Sequence, residues 1–177
     1  ALLGLHEAAR ASVHINAAVW TRTRQAYVNS QNNDGGWGYI PSSGRSTGSM
    51  TAAGVASLYI CGNSVTMSRG RGKAADGGVV CCQPYAEYRP IARGILWLAQ
   101  HFSVQSNPGQ GSYYYYYMYA LERVGILSGL RDIGEHDWYR EGVAQLIARQ
   151  SPNGSWQQTN DVVDTAQRPV GNARVTM

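Results

Sequence analysis

Two aspartates near the end of the sequence, Asp161 and Asp164, have a spacing that permits joint chemistry. Residues three apart lie on the same face of a helix, and neighbouring carboxylates acquire different pKa values because one charge disfavours the other. In the alternative interpretation either aspartate caps the first turn of the next helix. We favour the cap, because paired carboxylates at helix starts are commonly structural. Both residues stay candidate catalytic residues.

A third candidate catalytic residue, Glu122, stands in a segment that is otherwise mostly apolar. A buried carboxylate is costly unless a positive charge pairs with it, and Arg123 or a residue of a neighbouring helix can supply that charge. We favour such an ion pair over a catalytic role for Glu122.

The dipeptide His136-Asp137 offers a different hypothesis, in which the carboxylate orients the imidazole as a general base. Neighbours in sequence seldom orient each other in this way. Both residues precede a predicted helix, so we favour capping and surface solvation there.

The residue types that bind metals or phosphates lack the spacing that such sites need. Cys61, Cys81 and Cys82 form no CxxC or Cys/His pattern for zinc. We favour free thiols, with a disulfide between Cys61 and one of the two adjacent cysteines as the alternative. Neither a metal nor a cofactor is predicted. The segment from Ser68 to Lys73 lacks the GxxxxGK[ST] spacing of a phosphate-binding loop, so we interpret it as part of a flexible Gly/basic insertion over residues 62–82.

The composition indicates one globular domain. The chain has 177 residues, of which 44% are hydrophobic and 15% are charged, and this balance excludes global disorder. Apolar runs fall far short of the roughly 18 residues that cross a bilayer, so we expect a soluble protein without a membrane span. The net charge of +4 comes from scattered basic residues, which does not indicate a nucleic-acid partner.

A repeated motif divides the chain into units. The segments Gln31–Trp37 and Gln150–Trp156 both have the pattern Q-x-x-x-G-x-W, and the apolar segment that ends at Gln100 matches the residues before Gln150. Without the insertion, these glutamines recur at a spacing of about fifty residues, which is typical of stacked repeats of one supersecondary unit. The residues assigned to this structural repeat are Gln31, Gly35, Trp37, Gln100, Gln150, Gly154 and Trp156.

Each unit is predicted to contain a half-exposed outer helix. One such helix follows Asp137, which is a predicted cap, and another follows Pro84, which suits a first helical turn. Apolar residues recur at helical spacing in both segments and define one stripe each. The stripes are Tyr139, Val143, Leu146 and Ile147 in the first, and Ile91, Ile95, Leu98 and Phe102 in the second.

The inner helices are predicted to be more fully buried. One runs from Met50 to Cys61, consists of small residues and has Ser46 or Thr47 as its predicted cap. The other runs from Tyr113 to Leu127 and is apolar or aromatic nearly all round, as expected of a helix packed on both sides. A strand is the alternative at its tyrosine-rich start. We favour the helix, because the register continues without a turn signal.

Residues 25–166 resemble the prenyltransferase/squalene-cyclase repeat family, in which an outer helix precedes Q-x-x-x-G-x-W and an inner helix with a Ser/Thr-Ala-like start follows it. The first copy runs from Gln25 to Tyr39 and is followed by Ser46–Ala53, and the second runs from Arg140 to Trp156 and is followed by Asp164-Thr-Ala166. The resemblance implies an all-α toroid of alternating inner and outer helices around a cavity. It also implies that Gln ties a helix end to the next loop and that Trp stacks beside it.

The resemblance further implies a partial domain. Rings of this family contain more helix pairs than the roughly three that units of about fifty residues allow here. We therefore expect residues 1–177 to form a single partial toroid. An open ring exposes apolar surface, so the rest of a larger chain or self-association is expected to cover it.

The motifs that define activity in this family are absent from the sequence. It has no D-x-D-D acid of the class II terpene cyclases, no local pattern of prenyltransferase zinc ligands and no G-C-x-E-Q thioester motif. We predict a squalene-cyclase-like repeat domain without a catalytic motif. Two alternatives stay open: a terpene cyclase or prenyltransferase whose catalytic residues lie outside this segment, and a glycan-active toroid, since aromatic clefts with carboxylates suit sugars.

Tyrosines are the candidate ligand-binding residues. The chain has twelve Tyr and one Phe, and five consecutive tyrosines from Tyr113 to Tyr117 cover every side of a helix. We favour core packing for this run, with hydrogen-bonded hydroxyls, but some rings can face the cavity and bind a hydrophobic or amphipathic small molecule. The predicted cavity residues are Met50, Tyr115, Tyr116 and Tyr119.

Overall fold

The computed structural model describes residues 1–41, 44–68 and 85–156, and this part of the chain is mostly helical. Its elements are α1 (Leu2–Arg10), α2 (Ala17–Asn29), α3 (Gly48–Ser68), α4 (Tyr85–Gln100), α5 (Tyr114–Ser128), β1 (Asp132–Ile133), β2 (His136–Asp137) and α6 (Trp138–Ala148). The all-α prediction is thus confirmed for the described residues, and the toroid stays a prediction. Helix α1 and the antiparallel β1–β2 hairpin are additions to the sequence prediction.

Several predicted features fall outside the described residues. Asp161 and Asp164 are among them, as are Cys81 and Cys82 and the part of the 62–82 insertion that follows Ser68. The beginning of that segment differs from the prediction, because α3 continues as a helix through Ser68.

Helix α3 occupies the centre of the fold and packs against α1, α2, α4 and α5. Its small residues allow close approach, since a Cβ atom on Gly54 would lie 2.6 Å from Cδ2 of Trp37. The main core lies where α3, α4 and α5 meet and includes Val55, Leu98 and Leu121, one from each helix. The three helices are therefore joined by a shared core.

Of the two predicted caps of α3, one caps the helix in the structure. Thr47 Oγ1 accepts a hydrogen bond from the main-chain N–H of Met50 at 3.3 Å, which makes Thr47 the cap. Ser46 has another role, because its hydroxyl donates to Oδ1 of Asp34 at 2.8 Å. Thr47 thus caps α3, while Ser46 connects the start of this helix to the loop after α2.

Helix α5 confirms the helical interpretation for Tyr114 to Tyr117, but Tyr113 lies outside the helix as its N-cap, with a left-handed φ of 63°. One face is buried and consists of Tyr114, Tyr117, Met118, Leu121 and Val124. On the other face Tyr116, Tyr119 and Ile126 are about half exposed. The expectation that α5 packs on both sides is therefore wrong for the described part of the chain, where no element covers this second face.

The two outer helices differ in how their apolar stripes are covered. In α4, Ile91 and Leu98 are buried as predicted. In α6, Asp137 caps the first turn as predicted, but Tyr139 is 64% exposed and Ile147 is 66% exposed. Leu146, which belongs to the same predicted stripe, packs against the main core. The stripe of α6 thus contacts the described core at Leu146 and is exposed at Tyr139 and Ile147.

A second, smaller core joins α1 to the end of α3. Trp20, Ile60 and Cys61 are buried there against leucines of α1. Cys61 forms no disulfide with a described residue, and burial raises the pKa of its thiol to about 11. Across the part of the chain that the structure describes, no helix has both the length and the apolar character that a bilayer crossing requires.

Candidate functional site

The segment Gln31–Trp37, called the first corner, connects α2 to the residues before α3. The side-chain amide of Gln31 donates from Nε2 to the carbonyl oxygen of Gly35 at 2.8 Å. The indole Nε1 of Trp37 donates to the carbonyl oxygen of Tyr27, in the last turns of α2, at 2.9 Å. The amide and the indole thus hold the turn against the helix that precedes it.

The segment Gln150–Trp156, called the second corner, has the same hydrogen bonds after α6. Gln150 Nε2 donates to the carbonyl oxygen of Gly154 at 2.8 Å, and Trp156 Nε1 donates to that of Leu146 at 2.7 Å. Each indole bonds to the residue ten positions before it. The glycine at the fifth position of the motif has a φ of +94° in the first corner (Gly35) and +83° in the second (Gly154), a conformation that favours glycine. The two copies of the motif therefore have the same local structure.

The end of α4 lacks such a corner. Gln100 is exposed there and makes no side-chain hydrogen bond to another described residue. Asn107 connects this loop instead: its Oδ1 accepts from the main-chain N–H of Ser49 at 2.8 Å, and its Nδ2 donates to the carbonyl oxygen of Ser112 at 2.8 Å. Asn107 was not among the predicted structural residues, although the Asn-Pro-Gly triplet that it begins is a turn signal.

The four predicted cavity residues fall into two groups. Met50 and Tyr115 are partly buried and pack against the main core. Tyr116 and Tyr119 are half exposed on α5. Core packing therefore accounts for two of the four, and the other two present ring surface to solvent.

The exposed side of α5 is a surface of mixed chemistry. Tyr116, Tyr119, Arg123 and Ile126 follow one another at i, i+3, i+7 and i+10, so they share a side of the helix, which we call the tyrosine face. The Arg123 guanidinium carbon lies 5.3 Å from the centre of the Tyr119 ring, a cation–π contact. This face combines aromatic rings, hydroxyls and one aliphatic side chain.

Glu122 is neutralised at the edge of the tyrosine face. Its Oε1 lies 2.7 Å from a terminal guanidinium nitrogen of Arg123, so the two form an ion pair. The Arg123 Nε is buried and has no hydrogen-bond partner among the described residues. The pair fixes the guanidinium beside Tyr119 and leaves the face without net charge.

The hydroxyl of Tyr116 is a hydrogen-bond donor at neutral pH. Burial raises its pKa above the ordinary value of 10.0, and the nearby hydroxyl of Tyr27 raises it further. The phenol therefore stays protonated and can donate a hydrogen bond to a bound molecule.

His136 pairs with a residue other than Asp137. Its Nδ1 lies 3.1 Å from Oε1 of Glu141, and its ring stacks on that of Phe102 with the centroids 4.2 Å apart. Asp137 Oδ1 accepts a hydrogen bond from the main-chain N–H of Arg140 at 2.9 Å. The capping role of Asp137 is confirmed.

The described residues bring no three His, Cys, Asp or Glu side chains together in a metal-binding arrangement. No protein-family model, curated protein or solved structure matches this chain.

Proposed function

We propose that this chain is a squalene-cyclase-like helical-repeat domain that binds an amphipathic small molecule on the tyrosine face of α5. The two corners support the repeat assignment, because both copies of the motif make the same amide and indole hydrogen bonds. A ring of alternating inner and outer helices is the proposed architecture, of which the described helices form a part.

The observation that carries the binding role is the pairing of Tyr116 and Tyr119 on one half-exposed side of a helix whose other side is core. Phenol rings offer apolar area at little cost in side-chain entropy, and their hydroxyls add hydrogen bonds. Arg123 is already paired with Glu122, so the surface has no excess charge to select an ionic ligand. The fitting ligand has an apolar body and a small uncharged polar group.

Farnesol, an uncharged isoprenoid alcohol, is a suitable probe for this chemistry. We expect saturable binding by the full chain and by each variant, measured by isothermal titration calorimetry. In the wild type, the ring resonances of Tyr116 and Tyr119 in NMR spectra should shift on binding. The double variant Tyr116→Ala/Tyr119→Ala should weaken binding about tenfold, which corresponds to about 1.4 kcal/mol. Tyr139→Ala is the matched control, because Tyr139 is an exposed tyrosine on another helix.

Binding of farnesol that the control weakens as much as the double variant does would show non-specific association with exposed rings. Absence of saturable binding at concentrations below the solubility limit of the probe would also contradict the proposal. Circular dichroism of each variant verifies that its helix content is retained.

A further inference from the structure

The two corners share their internal hydrogen bonds but differ in what covers them. In the first corner Gly35 and Trp37 are buried, and Trp37 is 3% exposed. In the second corner Gly154 and Trp156 are exposed, and Trp156 is 46% exposed. The first corner therefore shows what a covered copy of this motif looks like and which element covers it.

Helix α4 covers the first corner through its main chain and one arginine. Gln31 Nε2 donates a second hydrogen bond, at 2.8 Å, to the carbonyl oxygen of Pro90 in α4, since a carbonyl oxygen has two lone pairs and can accept a second hydrogen bond within a helix. Arg93 donates from one guanidinium nitrogen to the carbonyl oxygens of Asn33, at 2.6 Å, and Asn32, at 3.1 Å. These bonds use groups that every copy of the motif has, namely the Gln amide and the carbonyl oxygens that follow it.

A glycine in α4 completes the contact. A Cβ atom on Gly94 would lie 2.9 Å from Cζ3 of Trp37, so the indole packs directly against the α4 backbone. The carbonyl oxygen of Arg93 lies equally close to Gly35, where a Cβ atom would be 2.8 Å from it. The helix that packs on Trp37 therefore needs a glycine where it contacts the indole.

The second corner presents the matching groups without a partner in the described part of the chain. Gln150 Nε2 bonds only to Gly154 there, which leaves one amide hydrogen for another acceptor. A Cβ atom on Gly154 would have nothing nearer than the Gln150 amide, at 4.0 Å. In α6, the residue after Leu146, Ile147, is also exposed.

We propose that the second corner binds an α-helix with the chemistry of α4. The helix offers a main-chain carbonyl oxygen to Gln150, an arginine to the carbonyl oxygens of Ser151 and Pro152, and a glycine backbone to the indole of Trp156. In α4 these features stand at Pro90, Arg93 and Gly94, so the recognition pattern is a carbonyl, an arginine three residues later and a glycine directly after it. This interface is separate from the tyrosine face and goes beyond the proposed ligand binding.

A stapled peptide with the sequence of residues 85–100 is the probe for this interface. Ala92 and Leu96 are exposed in α4, so a hydrocarbon staple between positions 92 and 96 preforms the helix and leaves the contacting side free. Fluorescence anisotropy of the labelled peptide with the full chain should show saturable binding. Trp156→Ala should weaken it about tenfold or more, and Gln150→Ala about threefold or more.

The matched control peptide carries Gly94→Leu, which places a side chain against the indole, and it should bind at least about tenfold more weakly. The matched control protein is Tyr116→Ala, which should bind the parent peptide as the wild type does and so separates this proposal from ligand binding at the tyrosine face. Absence of peptide binding, or binding that Trp156→Ala leaves unchanged, would overturn the proposal. If the chain forms a dimer that Trp156→Ala dissociates, the second corner binds a second copy of the chain, and this result would also overturn the proposal.

Discussion

The indole N–H of Trp97 donates a hydrogen bond to Oδ2 of Asp34 at 3.0 Å, which joins α4 to a loop 63 residues earlier. The other carboxylate oxygen accepts from the main-chain N–H of Gly36 at 3.0 Å and from the hydroxyl of Ser46 at 2.8 Å. Burial of the Asp34 carboxyl opposes ionisation, but these hydrogen bonds outweigh it and hold the pKa below its ordinary value of 3.8. The charged carboxylate is therefore part of what fixes α4 on the first corner.

Asp34→Asn should lower the free energy of unfolding at neutral pH by about 1 kcal/mol, a figure reduced for solvent screening of an exposed residue. The amide replaces one acceptor oxygen with a donor. Because the folded pKa lies below the unfolded one, the stabilisation is present above the unfolded value and is lost as the pH falls through the folded value. The wild-type advantage should shrink below about pH 4 in urea titrations. Glu135→Gln, at an exposed carboxylate, is the control; an advantage that persists in acid would contradict the assignment.

Gly94→Ala should destabilise the protein by about 1–3 kcal/mol, because overpacking forces shifts in the core. The added Cβ atom would lie 2.5 Å from Cγ2 of Val55 and 2.9 Å from Cζ3 of Trp37. Gly4→Ala is the matched control: Gly4 also lies in a helix, but nothing would be within 4 Å of its Cβ atom, so alanine should raise stability by about 0.5–1 kcal/mol. Chemical denaturation should give shifts of opposite sign, and equal shifts would show that α4 does not pack closely on the indole.

The two tryptophans of the repeat should differ in their contribution to stability. Trp37→Ala should cost about 3–5 kcal/mol, because a buried indole leaves a cavity. Trp156→Ala should cost about 1 kcal/mol, since nearly half of its side chain is already in water, and Gln150→Ala should cost less than that. Denaturant titration of the three variants tests the order. Equal losses for the two tryptophans would show that the second corner is covered in solution.

The two corners were predictable because few other local structures place a glutamine, a glycine and a tryptophan at the spacing Q-x-x-x-G-x-W. Glycine at the fifth position of the motif has a positive φ in both copies, and a glutamine four residues earlier reaches its carbonyl. The helical interpretation of the tyrosine run was also correct, since Met118 to Leu127 continues the register without a turn signal.

The partners of each apolar surface could not be predicted from periodicity alone. The stripe of α6 was assigned to one side correctly, but a pattern shows which side is apolar and carries no information on what covers it. The contact of Arg93 with the first corner was missed for a related reason: an arginine in an amphipathic helix is ordinarily a solvated residue, and only the fold brings it to carbonyl oxygens sixty positions earlier. Asn107 bonds across 58 residues and was missed in the same way.

Two neighbouring tyrosines of α5 should respond differently to loss of the hydroxyl. The Oη of Tyr114 donates to the carbonyl oxygen of Val104 at 2.9 Å, so Tyr114→Phe should cost about 1 kcal/mol. The Oη of Tyr117 is buried and approaches the main chain of Ser103 without a well-formed hydrogen bond to any described residue. A buried hydroxyl without a partner already bears its desolvation cost, so Tyr117→Phe should be neutral or stabilising by about 0.5–1 kcal/mol. Both variants keep the ring, which makes each the control for the other in urea denaturation at neutral pH. A loss in Tyr117→Phe as large as that in Tyr114→Phe would show that the Tyr117 hydroxyl is hydrogen-bonded in the folded protein.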